Sequence, residues 1–447
     1  MSFPRYESYK DSGVEWLGEV PRHWTVKSIK WLSPVLRGAS PRPIDDARYF
    51  DESGEYAWVR IADVSSSNGI LVDTTQRLSE LGSSLSVKLE PGSLFVSIAG
   101  TVGKPCISAI KACIHDGFVY FPRLLVSAKF LFRIFEAGSC YKGLGKWGTQ
   151  LNLNTDTIGS IRIAIPPEEE MRGILEFLES ETSRIDTLID EQKRLIELLR
   201  EKRQSVISHA VTKGLDPNVP MKDSGVEWLG EVPAHWQLLP LKRMLDFLTS
   251  GSRGWAEHYS EDGALFIRIG NLTRDSLGLD LSDIQRVEVP QGTEGERTRI
   301  EGGDVLFSIT AFLGSVAVVP DQIEPAYVSQ HVALARVRPI AILPEWVGYV
   351  TLSDVGKTYL ATQGYGGTKI QLSLSDISNL PIVLPPISEQ ADIVKFIKTA
   401  VGSIDHLSGH AENAIGLLQE RRSALISAAV TGKIDVRDRL PERVAAE

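Results

Sequence analysis

Lys10 to Trp24 read KDSGVEWLGEVPRHW and Lys222 to Trp236 read KDSGVEWLGEVPAHW, so one stretch returns 212 residues later with a single change, Arg22 against Ala234. A repeat of this kind demands a duplication, with a domain-sized period rather than the ~20–50 residues of a solenoid. The later part of each copy repeats at a different offset. Gly148-Thr149 matches Gly367-Thr368, Pro166-Pro167 matches Pro385-Pro386, Ile185-Asp186 matches Ile404-Asp405, and Val211-Thr212 matches Val430-Thr431, every pair 219 residues apart. The stretch from 24 to 148 therefore differs in length and content from its counterpart between 236 and 367. The frame is fixed and the inserts are free.

The inserts read as short strands broken by Gly, Asn, Ser and Pro. In the first these are Tyr56 to Val64, Gly92 to Lys104 and Gly117 to Val126; in the second, Leu265 to Leu272, Gly303 to Gly314 and Val328 to Val337 hold corresponding places. Apolar residues alternate well enough for half-buried sheet. A helical stretch near Ser127 to Ala137, and another near Pro344 to Ala361, makes both domains α+β.

After each Pro-Pro pair the period changes. Leu178, Glu181, Ile185, Leu188, Gln192, Leu195, Leu199, Lys202 and Val206 step by alternating three and four, as do Ile397, Ala400, Ile404, Leu407, Ala411, Ala414, Leu418, Arg421 and Leu425. This is a heptad seam in each copy, bulky in the first and Ala-rich in the second, and it predicts two long helices paired as an antiparallel coiled coil. The stretch GLDPNVP, Gly214 to Pro220, stops the first helix. An approximate twofold relating the two copies follows.

No run of eighteen apolar residues and no basic-then-apolar leader is present, so neither a membrane span nor a secretory signal is expected. Three cysteines without a CxxC pair, Cys106, Cys113 and Cys140, suggest a reducing cytoplasm and buried thiols. The chain has no phosphate loop with Gly-Lys-Ser/Thr, no HExxH and no Gly-x-Ser-x-Gly. Ile165 and Leu384 before the proline pairs, and Glu168 and Ile387 after them, exclude the Asn/Asp-Pro-Pro-aromatic signature of amino-methyltransferases, leaving the prolines as helix starters. No catalytic or metal-ligating set is expected. His23 and His235 read as structural, since nothing with metal-ligand spacing sits near either.

What remains is polar material on the insert loops. In the first insert it comprises Arg37, Arg42, Arg60, Lys104, Lys142, Lys146, Trp147, Thr149 and Gln150; in the second, Ser250, Arg253, Arg268, Asn271, Gln330, His331, Tyr365, Thr368 and Lys369. Arg, Asn and Gln can pair bidentately with base edges, and Lys binds phosphate as a point charge. The Gly-rich stretches Gly143 to Gln150 and Gly364 to Lys369 would let backbone approach a ligand closely. Charge argues the other way: the chain carries −9 at pH 7, with +3 over residues 1–167 and −8 over 215–385. The basic footprint usual for nucleic-acid binding is missing.

Taken together, the repeated KDSGVEWLGEVPRHW, LRGASPRP (Leu36 to Pro43), GTQLNLN and GTKIQLS (Gly148 to Asn154, Gly367 to Ser373), IPPEEE and LPPISEQ at the helix starts, and VISHAVTKGLDP at the helix exit resemble the specificity subunit of type I restriction-modification systems. The resemblance spans nearly the whole chain. It implies two target-recognition domains, at 1–167 and 215–386, each reading half of a bipartite double-stranded DNA site. A spacer helix with its exit turn at 168–214, a second helix at 387–432 and a tail at 433–447 complete the expected layout. It further implies a non-catalytic, cytoplasmic chain. Its partners would be two modification subunits, which methylate adenine N6 with S-adenosylmethionine, and two restriction subunits that use ATP and Mg. Two alternatives stay open: a specificity chain serving a methyltransferase alone, and a coiled-coil scaffold whose two domains bind protein or sugar ligands.

Overall fold

Each Pro-Pro pair ends a strand and begins a helix. Strand Arg162–Ile165 pairs antiparallel with Thr25–Ser28, and Pro381–Leu384 pairs in the same way with Gln237–Pro240. The helices that follow run over Glu168–Lys213 and Ile387–Val430. Proline is pre-shaped for a first helical turn and lacks only an N–H that would be unsatisfied there anyway. In this computed structural model the described residues are 3–144, 153–290, 292–364 and 371–438.

The repeated fifteen residues form one local clamp. Hairpin Tyr9–Asp11 with Glu19–Pro21, and its copy Met221–Asp223 with Glu231–Pro233, bring Lys10 Nζ to Trp24 O at 2.5 Å and Lys222 Nζ to Trp236 O at 2.6 Å. Both tryptophans are fully buried. Each indole then grips a carboxylate in the first turn of a long helix: Trp24 Nε1 donates to Glu170 Oε1 at 2.9 Å, and Trp236 Nε1 to Glu389 Oε1 at 3.1 Å. The preceding histidines reach the other oxygen of the same carboxylates, His23 to Glu170 at 2.7 Å and His235 to Glu389 at 2.9 Å. The structural role read for both histidines is this contact. The far end of the opposite helix closes on the same tryptophan, because a Cβ built on Gly432 would stand 3.2 Å from Trp24 and one on Gly214 3.2 Å from Trp236. Both glycines terminate their helices with φ near +70°, where a side chain is strained.

By contacts the chain forms two units, Met1–Gln192 with Asn413–Glu447, and Lys193–Glu412. In the first unit, and among the described residues, a five-stranded sheet takes the order Leu36–Arg37, Phe118–Tyr120, Leu94–Ser97, Pro105–Ser108, Ile70–Leu71. A four-stranded sheet in the order Arg77–Leu78, Tyr56–Val59, Ala112–Ile114, Val87–Leu89 accompanies it. The second unit has the same plan with two four-stranded sheets, one of them ordered Leu245–Ser250, Val332–Val337, Val305–Ser308, Val316–Val318. The parallel pairing of Tyr56–Val59 with Ala112–Ile114 recurs as Ala264–Ile267 with Ala326–Val328. Helix Ala128–Ala137 stands where expected; its counterpart is split by the Ser353 cap into Pro344–Leu352 and Asp354–Gln363.

Within each unit, the start of one long helix packs against the end of the other. Phe177, Leu178 and Ile185 share a core with Leu425, Ile426 and Val430 in the first unit, while Ile207, Ala210 and Val211 share one with Ile393, Ile397 and Val401 in the second. The antiparallel pairing is as expected, but the seam's phase needs correction at alternate positions. Thr182, Ile189 and Ile196 are buried and Arg203 half-buried in place of Glu181, Leu188, Leu195 and Lys202; Leu188 and Leu195 are about 40% exposed. Likewise Val401, Ser408 and Arg422 are more buried than Ala400, Leu407 and Arg421, while Ala414 and Ile415 are both half-buried. The physical reason is the partner across the seam. Ile185 and Ile189 pack in one apolar cluster with Ile415 and Leu418 of the opposite helix, and at the edge of the seam Arg203 meets Asp405 at 3.1 Å and Arg422 meets Asp186 at 2.8 Å, one contact made twice at matching places in the repeat.

The three thiols are buried and unpaired, and burial raises them to about 11 (Cys106, Cys113) and about 12 (Cys140), which keeps them protonated and inert. Residues after the second helix return to the first unit, where Asp435 N–H donates to Pro4 O at 2.8 Å and the Arg437 guanidinium lies 5.0 Å from the centre of the Tyr6 ring. Among the described residues no helix is long and apolar enough to cross a membrane.

Candidate nucleic-acid interface

The two inserts present one loop scaffold with different side chains on it. In each, a glycine after the first insert strand lies flat on a turn from the sheet centre: Gly38 N–H donates to Phe118 O at 2.9 Å, and Gly251 N–H to Val332 O at 3.0 Å. A Cβ would stand 2.2 Å from His115 O at Gly38 and 2.1 Å from Val328 O at Gly251, so neither position admits a side chain. This approach aligns Ile114-His115-Asp116-Gly117-Phe118 with Val328-Ser329-Gln330-His331-Val332. Asp116 therefore stands where Gln330 does.

Around that turn the first domain gathers charge. Arg37 Nε donates to Asp116 O at 2.5 Å, the Arg42 guanidinium lies 3.4 Å from the Asp116 carboxylate, and Ser40 Oγ donates to the same carboxylate at 3.3 Å. Arg42 is 80% exposed, and two guanidinium groups over one acid leave a local positive surface. Burial pushes the His115 imidazole below its ordinary range, with Asp116 opposing the shift. Its Nδ1 accepts the Gly117 N–H at 2.8 Å, and its ring packs on Phe118 with centres 4.6 Å apart. In the second domain Ser250, Arg253, Gln330 and His331 occupy this place. Ser250 O accepts from Arg297 at 2.9 Å, Gln330 N–H donates to Ser252 O at 3.0 Å, and Arg253 and His331 are exposed.

Arg60 and Arg268 are also equivalent, and both correct the sequence reading in the same way. Each ends a strand and begins a helical turn, because its N–H donates to the residue three on: Asp63 at 2.8 Å, Asn271 at 2.9 Å. The strand read through Val64 therefore stops at Val59. Each guanidinium then clasps the residue fifteen further on, Thr75 for Arg60 and Asp283 at 2.9 Å for Arg268. Asn271 departs furthest from the reading. It is 3% exposed, and its amide nitrogen donates to Asp280 O at 2.8 Å and Asp283 O at 3.0 Å, so it holds its own loop and has no face left for a base. Lys104 is half engaged, its ammonium capping Ser65 O at 2.8 Å and Ser67 O at 2.9 Å, while Lys142 is exposed. Lys146, Trp147, Thr149, Gln150, Tyr365, Thr368 and Lys369 lie outside the described residues. The residues beside those stretches are tied to one feature, the tip of the central hairpin. Tyr141 OH donates to Gly103 O at 2.9 Å, and Leu372 N–H to Ile309 O at 2.9 Å.

That tip carries residues which sequence reasoning missed. Gly100 has φ 63° and its counterpart Ala311 φ 61°, the sole non-glycine with positive φ among the described residues. Phe312 next to it is 47% exposed, with the Arg274 guanidinium 4.6 Å from its ring centre. The signal available was the alignment of SIAGTVG (Ser97 to Gly103) with SITAFLG (Ser308 to Gly314), in which Ala takes the glycine's place.

Comparison with known proteins now bears on this geometry. The family model described as the type I restriction modification DNA specificity domain matches residues 21–198 and again 263–415, one match in each repeat. The chain belongs to this family. For this specificity chain, similar curated proteins include the putative type I restriction enzyme MjaX specificity subunit of Methanocaldococcus jannaschii, 23% identical over 98% of this chain and 99% of that one. The type I restriction enzyme EcoBI specificity subunit of Escherichia coli is 21% identical over 67% of this chain, and the match spans 64% of its own length, just under two thirds. A chain from a solved structure concerned with complex assembly and conformational transition of the type I R-M system superposes with a TM-score of 0.70, covering 92% of this chain and 98% of that one at 17% identity. That likeness supports the fold: two α+β domains and two long helices.

Proposed function

We propose that this specificity chain is the sequence reader of a type I restriction-modification complex, in which each domain recognises one half of a bipartite duplex site and the helix pair sets the gap between them. The observation that carries the reading is a common scaffold with unlike side chains at matching positions: Asp116 against Gln330, Gly117 against His331, Lys104 against Ser315, Thr101 against Phe312. Identical contents would read identical half-sites; these would not. The chain contributes no chemistry of its own. Adenine within a duplex must be extruded into a pocket before it can be methylated, and that pocket belongs to modification subunits carrying S-adenosylmethionine. Restriction subunits with ATP and Mg complete the assembly. The exposed leucines left on the long helices, Leu188, Leu195 and Leu407, supply apolar surface for such partners. The acidic second domain leaves most phosphate contacts to them as well.

The test is a genome-wide adenine-methylation map from cells expressing this chain with a compatible modification subunit, compared with cells lacking the chain. A split motif that depends on the chain is the expected result. Exchange of residues 245–363 for the corresponding insert of another specificity chain should alter one half-site and leave the other intact. If no motif arises although both proteins are soluble, associated and the modification subunit is active with another specificity chain, the scaffold reading takes its place.

A further inference from the structure

We propose that His406 and His410 form a chelating site for a late first-row divalent cation such as Cu2+, Ni2+ or Zn2+. They stand one turn apart on the second long helix, and i,i+4 spacing puts both rings on the same face. Both are exposed. The Nε2 atoms lie 3.2 Å apart, with ring centres separated by 4.3 Å and planes inclined at 78°. A metal binds imidazole nitrogen at about 2.0–2.1 Å, which places two nitrogens on one ion roughly 2.9 Å apart at a right angle and roughly 3.4 Å apart at a tetrahedral angle. The observed separation falls between these limits, so an ion can bridge the pair once the rings turn their nitrogen lone pairs from each other toward a shared apex.

The surroundings separate this pair from the other paired histidines. His23 and His235 are each held by a carboxylate, and His115 is buried with Nδ1 accepting a backbone N–H. His406 and His410 hydrogen-bond to each other, which requires one ring to give up a nitrogen lone pair that a metal would take instead. The helix surface beside them is bare. Nothing lies within 4 Å of where a Cβ would stand on Gly402 or Gly409, which leaves room for coordinated water. Among the described residues no group of three or more His, Cys, Asp or Glu could hold a metal, so the site supplies two ligands and the remaining positions go to water or to an exogenous donor. An ion held this way exchanges readily. Imidazole favours Cu2+, Ni2+ and Zn2+, whereas Mg2+ and Ca2+ take oxygen ligands, so the site is distinct from the Mg expected on partner subunits.

The second imidazole acts at high effective concentration once the first has bound, and multivalent gains of this kind reach about 10²–10⁴. Titration of the full-length chain with Cu2+ alone, for the parent, His406→Ala and His410→Ala, should show one site whose affinity falls at least about tenfold in either variant. Electron paramagnetic resonance of bound Cu2+ should count two nitrogen ligands in the parent and one in each variant, and a hundredfold excess of Mg2+ should leave binding unchanged. Metal-free thermal unfolding should coincide for all three proteins, which separates loss of ligand from loss of fold. Equal affinity in parent and variants, a single nitrogen in the parent spectrum, or displacement by Mg2+ would each overturn the proposal.

Discussion

Glu170 takes hydrogen bonds from Tyr6 OH at 2.5 Å and Trp24 Nε1, and contacts His23, while its side chain is 7% exposed. Hydrogen bonds to a buried charge contribute about 1.5–3 kcal/mol each, and orphaned donors add to the loss, so Glu170→Ala should destabilise the first unit by about 3 kcal/mol. Glu389→Ala should cost less, because that carboxylate is 32% exposed and, among the described residues, no tyrosine hydroxyl joins its indole and imidazole partners. Hydrogen exchange resolved by domain measures both. Ala311 offers the opposite sign: a left-handed residue with a Cβ costs about 1–2 kcal/mol, so Ala311→Gly should slow exchange in the second unit. Gly100→Ala should speed it in the first, where a new Cβ would also stand 2.9 Å from Ile61. Little of this was legible beforehand. Trp24 and His23 were recognisable as structural, but their carboxylate lies nearly 150 residues away, and a single sequence does not show which of Glu168, Glu169 and Glu170 faces inward. Asn271 misled for a related reason, since an amide that reads a base and an amide that caps a turn look alike until burial is known.

At the level of whole elements, the period of the long helices was readable and its phase was not. Leu188 beside Ile189, and Leu195 beside Ile196, give two apolar choices at each step, and the larger number of leucines favoured the wrong one. What separates them is the partner helix: Ile189 packs in one apolar cluster with Ile415 and Leu418, while the Arg203–Asp405 and Arg422–Asp186 pairs flank the seam with their aspartates about half exposed. The same register makes a quantitative expectation. One heptad adds about 10.5 Å at 1.5 Å per residue, and a base pair occupies about 3.4 Å, so a matched heptad inserted into both helices between the ion pairs should lengthen the gap in the recognised site by about three base pairs. The methylation map of that variant checks it, with both half-sites unchanged. The insert strands, by contrast, were legible in position but overlong, because Arg60 and Arg268 sit in β-like sequence while their N–H groups already cap a turn.

For the molecule as a whole, the duplication in sequence predicted two similar domains, and the chain's path through them is what sequence left hidden. Lys433 to Asp438 in the first unit answer to the linker Gly214 to Pro220 in the second, with Asp435 bonded to Pro4. A permuted chain that joins residue 438 to residue 3 through a short flexible link and opens between 214 and 220 should therefore fold and melt within a few degrees of the parent, as circular dichroism would show, since the opened stretch is an exposed turn. A deeper consequence lies in the two cross-helix ion pairs. Each repeat carries both members of the pair, an aspartate early in its long helix and an arginine one helix-half later, and each finds its complement on the other repeat. A gene half this length, ending just past Gly214, would encode a polypeptide whose surface is complementary to itself under a twofold rotation. On the proposed function, such a homodimer would read a palindromic site, whereas the unlike inserts joined here in one chain would read an asymmetric one.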